Sequence, residues 1–254
     1  MTWNPKTYLA FADERTRPAA ELLARVTIEN PSRVTDLGCG PGNSTALLVE
    51  RWPQAEITGI DSSPEMIATA KASGVRAQWE LADLASWVPQ KSFDVIFSNA
   101  TYQWLADHQT LLPRLMAFTA KGGVFAFQVP NNMNAPSHVL MREAAEDGPW
   151  AAKLKNVRAV SVESAERYFD ILAPHAVSLD IWETEYLQVL EGDDPVYKWV
   201  SGTGLRPFVQ SLDGSEREDF IAQYKARLRI AYPKRADGKT LFPFRRLFAI
   251  AQIS

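Results

Sequence analysis

Four polar side chains, each at or just past the end of an apolar run, carry most of the chemistry legible in this chain of 254 residues. The first is Asp36, in Val34-Thr35-Asp36-Leu37-Gly38-Cys39-Gly40-Pro41-Gly42, where three glycines fall within five positions. Glycine carries no side chain, so such a turn bends sharply and lets a ligand approach the backbone. A dinucleotide site asks for G-x-G-x-x-G with a pyrophosphate on the next helix N-terminus. Here the spacing is G-x-G-x-G, and a carboxylate two residues ahead of the first glycine suits a cationic ligand and repels a pyrophosphate. Asp61 ends Glu56-Ile57-Thr58-Gly59-Ile60-Asp61. It lies about 20 residues past the glycines, where nucleotide folds place a ribose-binding carboxylate. Asp83 follows the run at 75–81, and Asn99 closes Phe93-Asp94-Val95-Ile96-Phe97-Ser98-Asn99. A turn without ligand and a dinucleotide-binding dehydrogenase stand as the alternatives at this point.

These groups need strands to hold them side by side. Short apolar runs at 34–37, 56–61, 75–81, 93–99 and 124–129 read as strands, the last entered through a turn at Lys121-Gly122-Gly123. The fourth is apolar almost throughout, as a strand covered on both faces should be. Helical patterns intervene at 64–73, opened by Ser63 as N-cap and Pro64 as first residue, and at 109–119. Strands alternating with helices predict a parallel, doubly wound α/β sheet. Beyond Val129 the pattern loosens: a loop at 131–136, helices at 138–146 and 164–172, and a Trp/Tyr/Val-rich strand at 177–190. A helix then opens at Asp193-Asp194-Pro195, a break falls at 203–208, and a long helix spans 215–230 with Ser215 and Glu218 as a capping box. A last strand lies at 241–251.

Composition narrows the function. Hydrophobic content of 46% and charged content of 22% suit one globular α/β domain with an elaboration. No apolar run approaches 18 residues and the N-terminus has no signal-like segment, so a cytoplasmic protein without a membrane partner is expected. The single cysteine, Cys39, fits a reducing compartment and reads as a small buried filler rather than a nucleophile. His108, His138 and His175 are scattered, so no metal site is expected. A net charge of −3 and no long basic run argue against nucleic acid. Bases do gather after Arg206, among them Lys225, Arg227, Arg229, Lys234 and Lys239. They form either a solvated helix face or a positive potential for an anionic substrate.

Asp-Leu-Gly-Cys-Gly-Pro-Gly at 36–42 resembles the first motif of the class I S-adenosylmethionine-dependent methyltransferases, whose cofactor carries an amino group and a sulfonium. The resemblance implies a seven-stranded Rossmann-like sheet, the last strand antiparallel and slotted between two others, and Asp83 accepting from the adenine exocyclic amine. It assigns cofactor binding to Asp36, Gly38, Gly40, Asp61, Ser62, Met66, Asp83, Leu84, Asn99 and Trp104. The α-helical segment at about 191–240, inserted between the last two strands, and residues 1–30 would cover the active site.

A closer resemblance, to the trans-aconitate methyltransferases, runs along nearly the whole chain. It rests on Trp3-Asn4-Pro5, Arg15-Thr16-Arg17-Pro18, Asn99-Ala100 with Gln103-Trp104-Leu105, His138 to Glu143, Gly202-Thr203-Gly204-Leu205-Arg206-Pro207 and Arg246-Leu247-Phe248. The doubled arginine at Arg245-Arg246 departs from the usual pattern and leaves Arg245 the weaker assignment. The resemblance implies esterification of one carboxylate of trans-aconitate to a monomethyl ester, with no catalytic acid or base. Another small di- or tricarboxylic acid, or a carrier-bound malonyl group, is the alternative substrate. Arginine binds carboxylates in bidentate fashion, which makes Arg206 and Arg246, then Arg15 and Arg17, the substrate candidates. Tyr8, Tyr102, Trp199 and Tyr232 would close the pocket.

Overall fold

A computed structural model of the chain describes residues 16–157 and 162–254. The described chain divides into two compact units, the first drawn from 16–129, Glu163–Glu183 and Leu247–Ser254, the second from 130–157, Val162 and Thr184–Arg246.

The first unit alternates helix and strand. Its elements are α1 (Arg17–Ala24), β1 (Arg33–Leu37), α2 (Asn43–Arg51), β2 (Glu56–Asp61), α3 (Pro64–Ala72), β3 (Gln78–Leu81), β4 (Phe93–Asn99), α4 (His108–Met116) and β5 (Thr119–Pro130), followed later by α7 (Ala165–Leu172). The long strands β6 (Ser178–Leu190) and β7 (Thr240–Gln252) complete a seven-stranded sheet of order β3-β2-β1-β4-β5-β7-β6. The pairs β1–β2, β1–β4, β2–β3 and β4–β5 are parallel. β7 runs the other way beside β5: Gly122 pairs with Ile253 while Asn131 pairs with Arg245, so one number rises as the other falls. The strand order thus reverses between β1 and β4, the switch point where open α/β sheets bind ligands.

Local chemistry accounts for most boundaries. α3 begins where predicted, with Pro64 in its first turn and the Ser63 hydroxyl accepting from the Met66 amide at 3.3 Å. Ser164 caps α7 in the same way, taking the Arg167 amide at 3.2 Å. β3 is shorter than the predicted 75–81, because left-handed Gly74 and a tight Ala77-to-Val75 hydrogen bond occupy the first residues. β5 starts earlier than predicted. Gly122, at φ 73°, forms a bulge instead of a turn, and the ladder to β7 continues through Gly122 and Gly123. The core of this unit is aromatic: Tyr102 stacks on Phe125 and meets Phe127 edge-on, and Tyr168 also abuts Phe127. His108 joins the core through both ring nitrogens, to the Tyr102 carbonyl at 2.8 Å and the Tyr168 hydroxyl at 3.0 Å. A carbonyl only accepts, so Nε2 carries the proton and Nδ1 accepts from Tyr168.

The second unit contains α5 (Pro136–Glu146), α6 (Ala151–Leu154), α8 (Pro195–Ser201), α9 (Arg206–Gln210) and α10 (Gly214–Ala231), with the distal halves of β6 and β7. It takes in more chain than the segment 191–240, since Met141, Ala144, Trp150 and Leu154 share one apolar cluster with Phe208, Phe220, Tyr224, Phe242 and Phe244. Where a break was predicted at 203–208 there is the short helix α9, whose first turn accommodates Pro207 because that position needs no amide donor. α10 differs at its start as well. It begins at Gly214, with Asp213 as an extended N-cap that makes no side-chain bond, so Ser215 already lies inside the helix and the capping box does not form.

Candidate active site

In the first unit the glycine turn between β1 and α2 is folded by its neighbours. The amides of Gly38 and Cys39 both donate to the Ile60 carbonyl, at 2.7 and 2.9 Å, and the Gly40 amide donates to Asp61 Oδ2 at 2.9 Å. The three glycines do different things. A Cβ at Gly38 would sit 2.2 Å from the Thr101 side chain, so this glycine permits the turn after β4 to close on the turn after β1. Gly42, at φ 96°, begins α2 and lets Trp79 pack against it. A Cβ at Gly40 would meet nothing within 4 Å among the described residues, which leave the turn open there.

The polar groups stand at the carboxyl ends of these strands. Asp36 is fully buried; its Oδ2 accepts from Ser44 at 2.7 Å and Thr45 at 2.6 Å, while Oδ1 has no hydrogen-bond partner among the described residues. Burial raises its pKa to about 6, against the lowering effect of Thr45 and Ser44 and with a smaller upward push from Asp61. Asp61 ends β2 and uses both oxygens, Oδ2 for Gly40 and Oδ1 for the Ser63 amide at 2.9 Å, so one carboxylate ties the glycine turn to the start of α3. Exposed Ser62 lies between, and Met66 is 38% exposed on the first turn of α3. Asp83 is exposed and caps its own turn, Oδ1 accepting from the Ala85 amide at 2.9 Å, with buried Leu84 next to it. Asn99 ends β4; its Oδ1 accepts from the buried Gln128 amide, which orients the side chain. Trp104, in the helical turn after β4, is 45% exposed. Cys39 is buried, and its thiol is pushed far up by burial and then by Asp36 and Asp61, so it is a filler of the turn with no nucleophilic thiolate.

The second unit gathers three of the expected substrate residues around one aromatic pair. Trp199 meets Phe242 and Phe244 at ring distances of 6.0 and 5.7 Å, Tyr232 meets Phe242 edge-on at 5.3 Å, and the Arg246 guanidinium lies 5.0 Å from the Phe244 ring. Arg246 is buried, and the Tyr232 hydroxyl is anchored by the Ser137 amide at 3.0 Å. Arg206 is exposed at the first position of α9 and makes no ion pair or side-chain hydrogen bond among the described residues. Arg245 faces Glu185 at 3.6 Å. The bases of α10 and its surroundings are paired: Lys225 and Arg229 with Asp194, Arg227 with Asp147, Lys234 with Asp193, Lys239 with Glu191.

Residues 34–123 match a family model described as a methyltransferase domain. Along its whole length the chain is 51% identical to trans-aconitate 2-methyltransferase of Azoarcus sp. strain BH72, covering 98% of each chain. It is 47% identical to the enzyme of that name from Methylobacterium radiotolerans, again over 98% of each. The chain belongs to the trans-aconitate 2-methyltransferase family. Solved structures share the fold at low identity. The YcgJ protein from Bacillus subtilis superposes with a TM-score of 0.62 at 16% identity, covering 92% of this chain and 97% of its own. Phosphoethanolamine N-methyltransferase 2 of Haemonchus contortus, solved with S-adenosyl-L-methionine, gives 0.57 at 16% identity, with 93% of this chain and 52% of its own covered.

The other expected residues of this family member are placed as follows. Tyr102, expected to close the pocket, is a fully buried core residue, because Phe125 and Phe127 on β5 offer it flat apolar partners. Asp36 is fully buried, with its Oδ2 held by the hydroxyls of Ser44 and Thr45. Arg17 begins α1 and pairs with Glu21 at 2.7 Å. Tyr8 and Arg15 lie outside the described residues. Sequence reasoning passed over Trp79, Thr101, Gln128 and the Ser44-Thr45 pair. Gly59, a glycine inside a strand, was the available signal for Trp79, since such a residue marks close approach: a Cβ there would lie 2.5 Å from the Trp79 ring.

Proposed function

We propose that this chain is a carboxyl O-methyltransferase that uses S-adenosylmethionine to convert trans-aconitate into a monomethyl ester. One observation carries the reading: Asp36, Asp61, Asp83 and Asn99 cluster at the carboxyl ends of adjacent parallel strands around a turn open above Gly40, in a chain alike end to end with trans-aconitate 2-methyltransferases.

The residues fit the cofactor. Asp36 Oδ1 is a buried acceptor without a partner among the described residues, and a cationic ligand beside it would relieve the cost of its charge. Each Asp61 oxygen takes one amide and retains a lone pair, which suits a ribose diol. Asp83 has an oxygen with no described partner for the exocyclic amine, while Met66, Leu84 and Trp104 offer apolar surface to the base and thioether. Ser62, Gly38 and Gly40 bring backbone close to the ligand, and Asn99 presents its amide nitrogen.

When bound, S-adenosylmethionine supplies a methyl carbon activated by its sulfonium. The acceptor needs no base, because a carboxylic acid with a pKa near 4 is already ionised at neutral pH. The chain's task is to bind, orient and exclude water, which can supply roughly 7–11 kcal/mol. Arg206 and Arg246, with Arg15 and Arg17 as further candidates, hold the non-reacting carboxylates as bidentate partners. Trp199, Tyr232 and Tyr8 wall the substrate, and the segments 191–240 and 1–30 serve as its cover. The cytoplasm, where the one thiol stays reduced, is the proposed location. Among the described residues no helix is long and apolar enough to cross a membrane.

The bases of α10 pair with Asp147 and Asp194, which favours a small acid over an acidic carrier protein as the substrate. The test is a panel of acceptors under identical conditions: trans-aconitate, cis-aconitate, citrate, isocitrate and a malonylated carrier. Selective methylation of trans-aconitate is expected; a preference for the carrier would replace the substrate assignment.

A further inference from the structure

Arg114 sits on α4, whose neighbours Leu111, Leu112, Leu115 and Met116 are buried. Its guanidinium reaches to the segment after β3, where Nη1 donates to the Trp87 carbonyl at 2.7 Å and Nη2 to the Leu84 carbonyl. The same turn is closed from the other side by Asp83. Its Oδ1 accepts from Ala85, and its carbonyl accepts from the Ser86 and Trp87 amides at 3.0 and 2.8 Å. Trp87 is in turn fixed by stacking on Phe93 and by its indole N–H on Glu80 at 3.1 Å. The donors of residues 85–87 therefore point to Asp83, and the carbonyls of Leu84 and Trp87 point to Arg114. The guanidinium holds the two carbonyls through N–H bonds that diverge in fixed directions from a planar group, whereas a lysine ammonium offers its donors from one freely rotating nitrogen.

We propose that Arg114 is a positioning residue for nucleobase recognition: by gripping Leu84 and Trp87 it fixes the direction of the Asp83 carboxylate and so selects a base with an exocyclic amine over one with a carbonyl. The inference rests on Asp83 as the adenine acceptor. Asp83 is exposed, and among the described residues its carboxylate is held by its own turn, through the Ala85 amide. Without Arg114 two carbonyls turn to water and the turn gains freedom. The carboxylate can still accept a hydrogen bond, but it no longer enforces geometry, and a carbonyl-bearing base is no longer held against a fixed negative charge.

The test is calorimetric binding of S-adenosylhomocysteine and of S-inosylhomocysteine, in which a carbonyl replaces the amine, to the full chain and to Arg114→Lys, Arg114→Gln and Asp83→Asn. The parent should prefer the adenosyl ligand by about tenfold, the worth of one charge-assisted hydrogen bond. Both Arg114 variants should reduce that preference by at least about threefold, with the adenosyl ligand losing more affinity than the inosyl one. If Arg114→Gln does not fold, Arg114→Lys, which keeps the charge but places its donors on a single nitrogen, carries the comparison. An unchanged preference in Arg114→Lys overturns the proposal, whatever happens to absolute affinity. Asp83→Asn separates the two levels. If it abolishes the preference while the Arg114 variants keep it, Arg114 alone is removed; if it too keeps the preference, the adenine reading of Asp83 falls and the proposal with it.

Discussion

Replacing Asp36 by asparagine should stabilise the free protein at neutral pH relative to acid, while weakening its hold on the cofactor. Asp36 is fully buried, and its carboxyl titrates at about 6 in the fold against an ordinary value of 3.8. Its folded pKa is raised, so the ionised form is the disfavoured one. The cost is absent below pH 3.8 and complete above about 6, where it reaches about 3 kcal/mol. Asparagine keeps one oxygen for Ser44 and Thr45 but sets a buried amide where Oδ1 has no partner among the described residues, a penalty of about 1–3 kcal/mol that does not depend on pH. Measuring at two pH values removes that second contribution. Urea unfolding of parent and Asp36→Asn at pH 4 and pH 7 should show the stability difference shifting by about 2 kcal/mol in favour of the variant at the higher pH. Calorimetry at pH 7 should show S-adenosylmethionine binding at least about tenfold more weakly to the variant, since the charge opposite the cation is gone. Stability differences that stay parallel between the two pH values would refute the buried-charge argument, and unchanged cofactor affinity would refute the role given to Oδ1.

Asp61→Asn should lower S-adenosylhomocysteine affinity by about 10- to 100-fold, because one carboxylate holds both the Gly40 and Ser63 amides and an amide can accept only at one end; titration calorimetry reads this directly. Arg246→Ala and Arg206→Ala should each raise KM for trans-aconitate by about 30-fold or more while cofactor affinity stays within about threefold, as expected for loss of a charged bidentate contact; equal kinetics would remove that arginine from the site. His138 is buried beside Arg142, and burial first, then that charge, lowers its pKa to about 4. The folded value lies below the unfolded one of 6.5, so its contribution is complete above pH 6.5 and is lost as pH falls toward 4, about 3 kcal/mol in all. His138→Gln should therefore flatten the acid limb of a stability–pH curve measured by thermal unfolding.

The strand ends were legible because each apolar run stops at a polar residue: β2 closes at Asp61 and β4 at Asn99 as predicted, and Ser63-Pro64 marks the start of α3. Less legible was anything decided by what packs on the other side. Nothing local says that Tyr102 faces Phe125 and Phe127. Nothing in the glycine motif says that Asp36 lies beneath the turn, although Ser44 and Thr45, two hydroxyls just inside α2, were a usable hint. A bulge looks like a turn in sequence, since both use Gly122 at positive φ, which is why β5 began sooner than expected. The apolar cluster that unites α5 and α6 with Phe242 and Phe244 depends on contacts roughly a hundred residues apart, beyond the reach of periodicity.

Methyl transfer to a carboxylate of trans-aconitate is tested most directly by mass spectrometry of that acid after incubation with the purified chain and S-adenosylmethionine. The expected product carries a single added methyl group, base-labile as an ester is, with S-adenosylhomocysteine formed in equal amount and far slower reaction of cis-aconitate, citrate and isocitrate. Cofactor binding without methyl gain on trans-aconitate would contradict the assignment.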